Sequence, residues 1–206
     1  MTDELERLLE VAALKDETRT GWALRGVANP ESVAAHTWGV ATLCLLYADE
    51  AGVDPDAACA MAVVHDLAEA RTGDVPTRAA DVEDGGASEE REGKEARERE
   101  AMAGLLDPFE GEGIRERWEA YEARDTALAR FVKDMDLVDT CLQAVRYERE
   151  GRYPKDEANE HFDEYEDLDE FFATTAPRLR TGVGERLFEA AKTAYEAEIG
   201  RECRLG

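Results

Sequence analysis

Lysine is scarce in this chain. Only five of its 25 basic residues are Lys, and those 25 face 49 Asp and Glu, for a formal net charge of −24. Such a balance argues against duplex nucleic acid as a partner, because its phosphates would be repelled. Long apolar runs are missing too. No stretch approaches the roughly 18 apolar residues of a membrane-spanning helix, so no membrane partner is expected. The opening MTDELERLLE is charged throughout, which reads against a secretory leader. The four cysteines, Cys44, Cys59, Cys141 and Cys203, form no Cys-x-x-Cys pair. Neither a disulfide framework nor a thiolate metal site is expected, and the chain is read as cytoplasmic. The carboxylates are spread along nearly every predicted helix rather than clustered. That distribution fits a solvated acidic surface adapted to a salt-rich cytoplasm, where screening relieves self-repulsion. A small anionic substrate would need a local cationic or metal site.

What is present is helical pattern. With 206 residues, 43% of them apolar, there is material for one real core. The expectation is an all-α, compact globular bundle forming a single domain over 1–206. Its motifs lie at about 14–150, with C-terminal helices at about 158–203 packed on them. Leu5, Leu8, Leu9 and Ala12 give a first amphipathic helix over 3–14. A loop through RTGWALRGVANPE follows, and Pro30 and Ser32 open a long helix to about Ala51. Pro55 suits the first turn of the next helix, which runs to about Arg71 before TGDVPT breaks it. Residues 80–94 read as a surface loop into a helix near 88–106, and a shorter helix follows near 112–122. The longest spans about 125–150, with Leu128, Phe131, Val132, Met135, Val138, Leu142 and Val145 on its apolar side. The tail gives two helices around Pro177.

One stretch asks for chemistry. In AVVHDLAEARTGDVP, residues 62–76, an imidazole and carboxylates interrupt an apolar run in which Ala62, Val63, Val64 and Leu67 read as core. Buried groups of this kind are costly unless something pairs with them. His65 and Asp66 can converge on an ion near one helix edge, and Glu69 lies one turn away on the same face. Further ligands must come from other helices. His36, in ESVAAHTWGVA, is one candidate. RFVKDMDLVDTCLQA offers Asp134, Asp136 and Asp139, and spacing does not choose among them. His161, in the acidic tail, reads as a surface residue.

Taken in order, PESVAAHTWGVA, MAVVHDLAEARTGDVPT and VKDMDLVDTCLQA resemble the HD-domain superfamily of metal-dependent phosphohydrolases, more narrowly the branch that contains 5'-deoxynucleotidases. The resemblance runs from about Leu14 to about Glu150. It implies that His36, His65, Asp66 and Asp136 bind one divalent metal ion, with Glu69 and Asp74 assisting proton transfer or facing the reacting group. It also implies Arg19 on the phosphate and Trp22 against the sugar, with two residues between them where the bacterial enzymes have an adjacent pair. Arg78 stands where a basic residue is expected after DVPT. Mn, Co, Fe, Ni and Zn all suit two imidazoles and two carboxylates.

The implied activity is removal of phosphate from nucleoside 5'-monophosphates, deoxy forms above all, by a homodimer. Two alternatives stand beside it. One is another nucleotide phosphohydrolase of the superfamily, cleaving a di- or triphosphate or a signalling nucleotide. The other is a non-catalytic module that binds metal and nucleotide.

Overall fold

The computed structural model describes residues 2–79, 82, 89–155 and 165–206. They form helices α1 (Thr2–Ala12), α2 (Thr20–Leu24), α3 (Val33–Ala51), α4 (Pro55–Val64) and α5 (Glu69–Thr72). Then come α6 (Glu89–Leu106), α7 (Glu112–Ala123), α8 (Ala127–Glu150), α9 (Asp169–Thr175) and α10 (Gly182–Ile199). Short 3-10 turns follow α1, at Ala13–Lys15, and α9, at Ala176–Arg178. Among the described residues there is no strand, only an isolated bridge between Thr18 and Ser32.

Local chemistry sets most of the boundaries. Ser32, Asp54, Thr126 and Thr181 each accept a first-turn amide at α3, α4, α8 and α10, caps worth about 1 kcal/mol apiece. Pro55 occupies the first turn of α4. Gly52, Gly151 and Gly200 close α3, α8 and α10 in the left-handed conformation.

The organising element is α8. It packs against α3, α4, α7, α9 and α10. Buried side chains from Phe131 to Val138 fall on all its faces, while Leu142, Arg146 and Arg149 further along are exposed. A helix enclosed on most sides shows little amphipathic contrast. The main core joins Val40 and Cys44 of α3, Met61 of α4, Phe131, Val138 and Cys141 of α8, and Phe188 and Tyr195 of α10. A smaller cluster sets Met102 and Leu106 of α6 and Trp118 of α7 beneath Ala68.

Several expectations are corrected. Leu5, Leu8 and Leu9 of α1 are exposed, as are Val63 and Leu142. RTGWALRGVANPE is not all loop, since Thr20–Leu24 is helical. The helix expected to reach Arg71 stops at Val64. The Ala62 carbonyl accepts from the His65 ring instead (2.7 Å). The amides of Leu67, Glu69 and Ala70 then bond three residues back rather than four. His161 and most of the 80–88 stretch lie outside the described residues.

Asp134 separates from the other two acids of its motif. It points at the start of α10, accepting from the amides of Arg180 (3.1 Å) and Thr181 (2.7 Å) and from the Thr181 hydroxyl (2.6 Å). A Cβ on Gly184 would overlap its carboxylate. Gly184→Ala is therefore expected to lower stability by about 1–3 kcal/mol, read as the midpoint of urea unfolding; an unchanged midpoint would refute this account of the α8–α10 contact.

Candidate metal centre

His36 sits in the first turn of α3 with no exposed surface. Two acids one turn apart on α8 hold its ring. Nδ1 lies 2.7 Å from Asp139 Oδ2, and Nε2 lies 3.0 Å from Asp136 Oδ1. Gly39 makes the approach possible, because a Cβ there would overlap the Asp139 carboxylate. Burial and the charge of Arg19 push the imidazole pKa down, but hydrogen bonds to Asp136 and Asp139 and the charge of Asp139 prevail and lift it to about 10. The second Asp136 oxygen accepts from Tyr121 Oη (2.7 Å) and Lys133 Nζ (2.6 Å). That carboxyl is held well below its usual range, against burial, mainly by Lys133 and His36.

His65 comes from the turn after α4 and is 2% exposed. Its Nδ1 donates to the Ala62 carbonyl, which leaves Nε2 as the acceptor nitrogen. That buried Nε2 has no hydrogen-bond partner, yet it lies 3.0 Å from Asp66 Oδ2. Two acceptors facing each other in a buried place are unfavourable unless a cation lies between them. His36, His65 and Asp66 offer ligand atoms all within 4.8 Å of one another, and Asp136 adjoins through His36. Imidazole nitrogen with carboxylate oxygen is a donor set that fits a divalent cation.

The cavity beside this cluster measures about 1040 Å³, and its walls include Arg19, Trp22, Glu69 and Asp74. Arg19 reaches it because Arg19 and Val33 exchange backbone bonds with Glu31 and Glu17, which pins the segment before α2 to the start of α3. Its guanidinium lies 3.5 Å from Asp66, 3.6 Å from Asp74 and 3.5 Å from the Thr140 hydroxyl. Asp74 ties the TGDVP loop to α2 by accepting the Thr20 amide at 2.5 Å, and its carbonyl accepts the Thr20 hydroxyl. Glu69 is half-buried, and its Oε2 is buried and unpartnered. Burial first, then the charges of Asp66 and Asp74, push its pKa up to about 10. Trp22 is 1% exposed. It stacks on Phe171 at 3.9 Å, meets Tyr147 edge-on and donates Nε1 to Glu31. It is therefore a core ring that also borders the cavity. Arg78 instead pairs with Glu170 in a two-pronged contact.

The sequence reading left out Tyr121, Lys133 and Glu31 and did not give Asp139 a role of its own. The 133, 136, 139 spacing on one helix face was the available signal.

A profile of the HD domain matches residues 11–182. The chain belongs to the HD-domain family. Among family members it is 39% identical over 147 residues to the 5'-deoxynucleotidase HDDC2 of Bos taurus, covering 70% of this chain and 67% of that protein. It is 36% identical over 144 residues to the enzyme of the same name from Xenopus laevis, covering 70% and 69%. The crystal structure of the PH0347 protein from Pyrococcus horikoshii superposes with a TM-score of 0.68 at 29% identity, over 92% of this chain and 99% of that one.

The protonation of the site sets a pH dependence. Glu69 and His36 have folded pKa values of about 10, above their ordinary values of 4.5 and 6.5. Between those limits the native chain binds more protons than the unfolded one, so stability falls as pH rises. Metal-stripped protein should unfold at progressively lower urea from about pH 7 to about pH 9, with a shallower decline in Glu69→Gln. A midpoint that climbs over that interval would contradict the sign.

Proposed function

We propose that this chain is a metal-dependent phosphomonoesterase that releases orthophosphate from nucleoside 5'-monophosphates, 2'-deoxyribonucleotides above all. The observation that carries the reading is the buried His65 Nε2, without a partner and opposed to Asp66 beside the His36 pair, at the wall of a cavity bordered by Arg19 and Glu69. The naming of the family relatives as 5'-deoxynucleotidases supports the substrate class.

His36, His65, Asp66 and Asp136 hold the ion in this reading, with Mn, Co, Fe, Ni or Zn as the candidates. When bound, such an ion acidifies water and polarises a phosphoryl oxygen. The other side chains divide the remaining work. Arg19 lies between Asp66 and Asp74 and is kept charged by them, so it can take a phosphate oxygen in their place. Glu69 lines the cavity, holds a proton on its carboxyl and has one oxygen without a hydrogen-bond partner. It passes that proton to the ester oxygen as the phosphorus–oxygen bond breaks, and recovers one from the attacking water. Asp74 fixes Arg19 and the start of α2. Trp22, backed by Phe171, presents an apolar wall that leaves little room for a 2'-hydroxyl.

The same reading includes a cytoplasmic location, in keeping with four unpaired thiols and with no described helix long and apolar enough to cross a membrane. It also includes a homodimer. Trp38 (72% exposed), Leu45 and Leu46 face outward on α3, and Leu142 is exposed on the adjacent α8. Apolar side chains of this size are what a second copy would cover.

A screen of ribo- and deoxynucleoside monophosphates in molar KCl with each divalent ion is expected to release orthophosphate. Asp66→Asn should be helical by circular dichroism but inactive and without bound metal, and Glu69→Gln should be slower by roughly 10²–10⁴-fold. Full turnover in Asp66→Asn would overturn the assignment, as would monophosphates left intact while nucleoside triphosphates put through the same screen give pyrophosphate or triphosphate. In sedimentation under the same salt, the wild type is expected as a dimer and Trp38→Glu as a monomer; a monomeric wild type would remove the dimer.

A further inference from the structure

Lys133 also borders a second cavity, of about 300 Å³. Its walls are Arg124, Arg130, Lys133, Asp134, Arg178 and Arg180. In a chain with about two acids for every base, five cationic residues and one acid around one small space is a reversal of composition. The one acid is already committed, since Asp134 spends its oxygens on the amides and hydroxyl at the start of α10. Arg130 donates to the Asp125 carbonyl, and the Arg180 guanidinium donates to the carbonyls of Pro177 and Leu179. Carbonyls satisfy N–H groups without cancelling charge, so Arg130 and Arg180 keep theirs in the cavity, while Lys133 shares its charge with Asp136.

Arg124 is the most telling residue. It ends α7 at φ 53°, a left-handed conformation that disfavours a side chain by roughly 1–2 kcal/mol. Its Nε is buried with no hydrogen-bond partner. That backbone shape belongs to the helix end, where the Arg124 amide bonds the Ala120 carbonyl, but a buried donor left unmatched in a lining shared with four other cations is accounted for by an anionic occupant.

We propose that this cavity is a second oxyanion site that takes a phosphate group. Planar guanidinium forks from α7, α8 and the turn after α9 surround a tetrahedral oxyanion there, with Lys133 as a point charge. Because Arg124, Lys133 and Arg178 also border the main cavity, the group is either free orthophosphate or the far end of a longer phosphate chain on a nucleotide seated in the main cavity. The site stands whether or not the main cavity turns over monophosphates.

Titration calorimetry on chelator-treated protein tests it, with orthophosphate and a nucleoside triphosphate as separate probes. Arg124→Gly keeps the left-handed turn while removing the guanidinium, and Arg130→Gln touches only the second cavity. Both are expected to weaken binding by about tenfold or more, whereas Arg149→Gln, at an exposed arginine paired with Glu198 away from both cavities, leaves it unchanged. Loss seen with orthophosphate assigns the site to the free ion; loss seen with the triphosphate alone assigns it to a nucleotide tail. Unchanged affinity for both probes in Arg124→Gly and Arg130→Gln overturns the proposal, as does an equal loss in Arg149→Gln.

Discussion

Two carboxylates of α8 grip the two ring nitrogens of His36, and the rest of the centre is arranged around that contact. The grip requires α3 and α8 to lie unusually close, which Gly39 permits. It also requires α8 to be fixed along its length, which its packing against five other helices provides. Removing one member of such a buried set leaves a charge uncompensated, a loss on the order of 3–5 kcal/mol. The centre and the core are therefore parts of one packing problem, with the imidazole as the piece shared by both.

The helices were largely legible because their ends carry local chemistry. Ser32, Asp54 with Pro55, and Thr126 mark starts that do not depend on tertiary context. The stop at Val64 was not legible, because it comes from the His65 ring taking a backbone carbonyl, a competition that no periodicity records. The outward face of α1 was misread for a related reason. Leucines at helical spacing mark an apolar face but not whether anything covers it, and here Leu5, Leu8 and Leu9 are bare.

At the centre, the sequence could name the acids of α8 but not sort them. Asp134, Asp136 and Asp139 look alike on paper, whereas the helix sends the first toward α10 and the other two toward α3. Only the family resemblance singled out Asp136, and it left Asp139 and Lys133 unassigned. Trp22 shows the opposite limit. One ring is both core and cavity wall, so readings that oppose those two roles pose a choice the fold does not make.

The turn from His65 to Arg71 has a geometric consequence of its own. Hydrogen bonds closing three residues back wind the chain more tightly than an α-helix, and in that winding residues i and i+3 eclipse rather than fan out. Asp66 and Glu69 are such a pair, so the carboxylate at the ion cluster and the one at the cavity wall are stacked along a single line. Two like charges in that alignment repel, and the repulsion adds to burial in keeping a hydrogen on the upper member. The shape of one backbone turn thus adds to what burial does to Glu69 and what His65 and Arg19 do to Asp66, leaving one of two chemically similar acids neutral and the other charged.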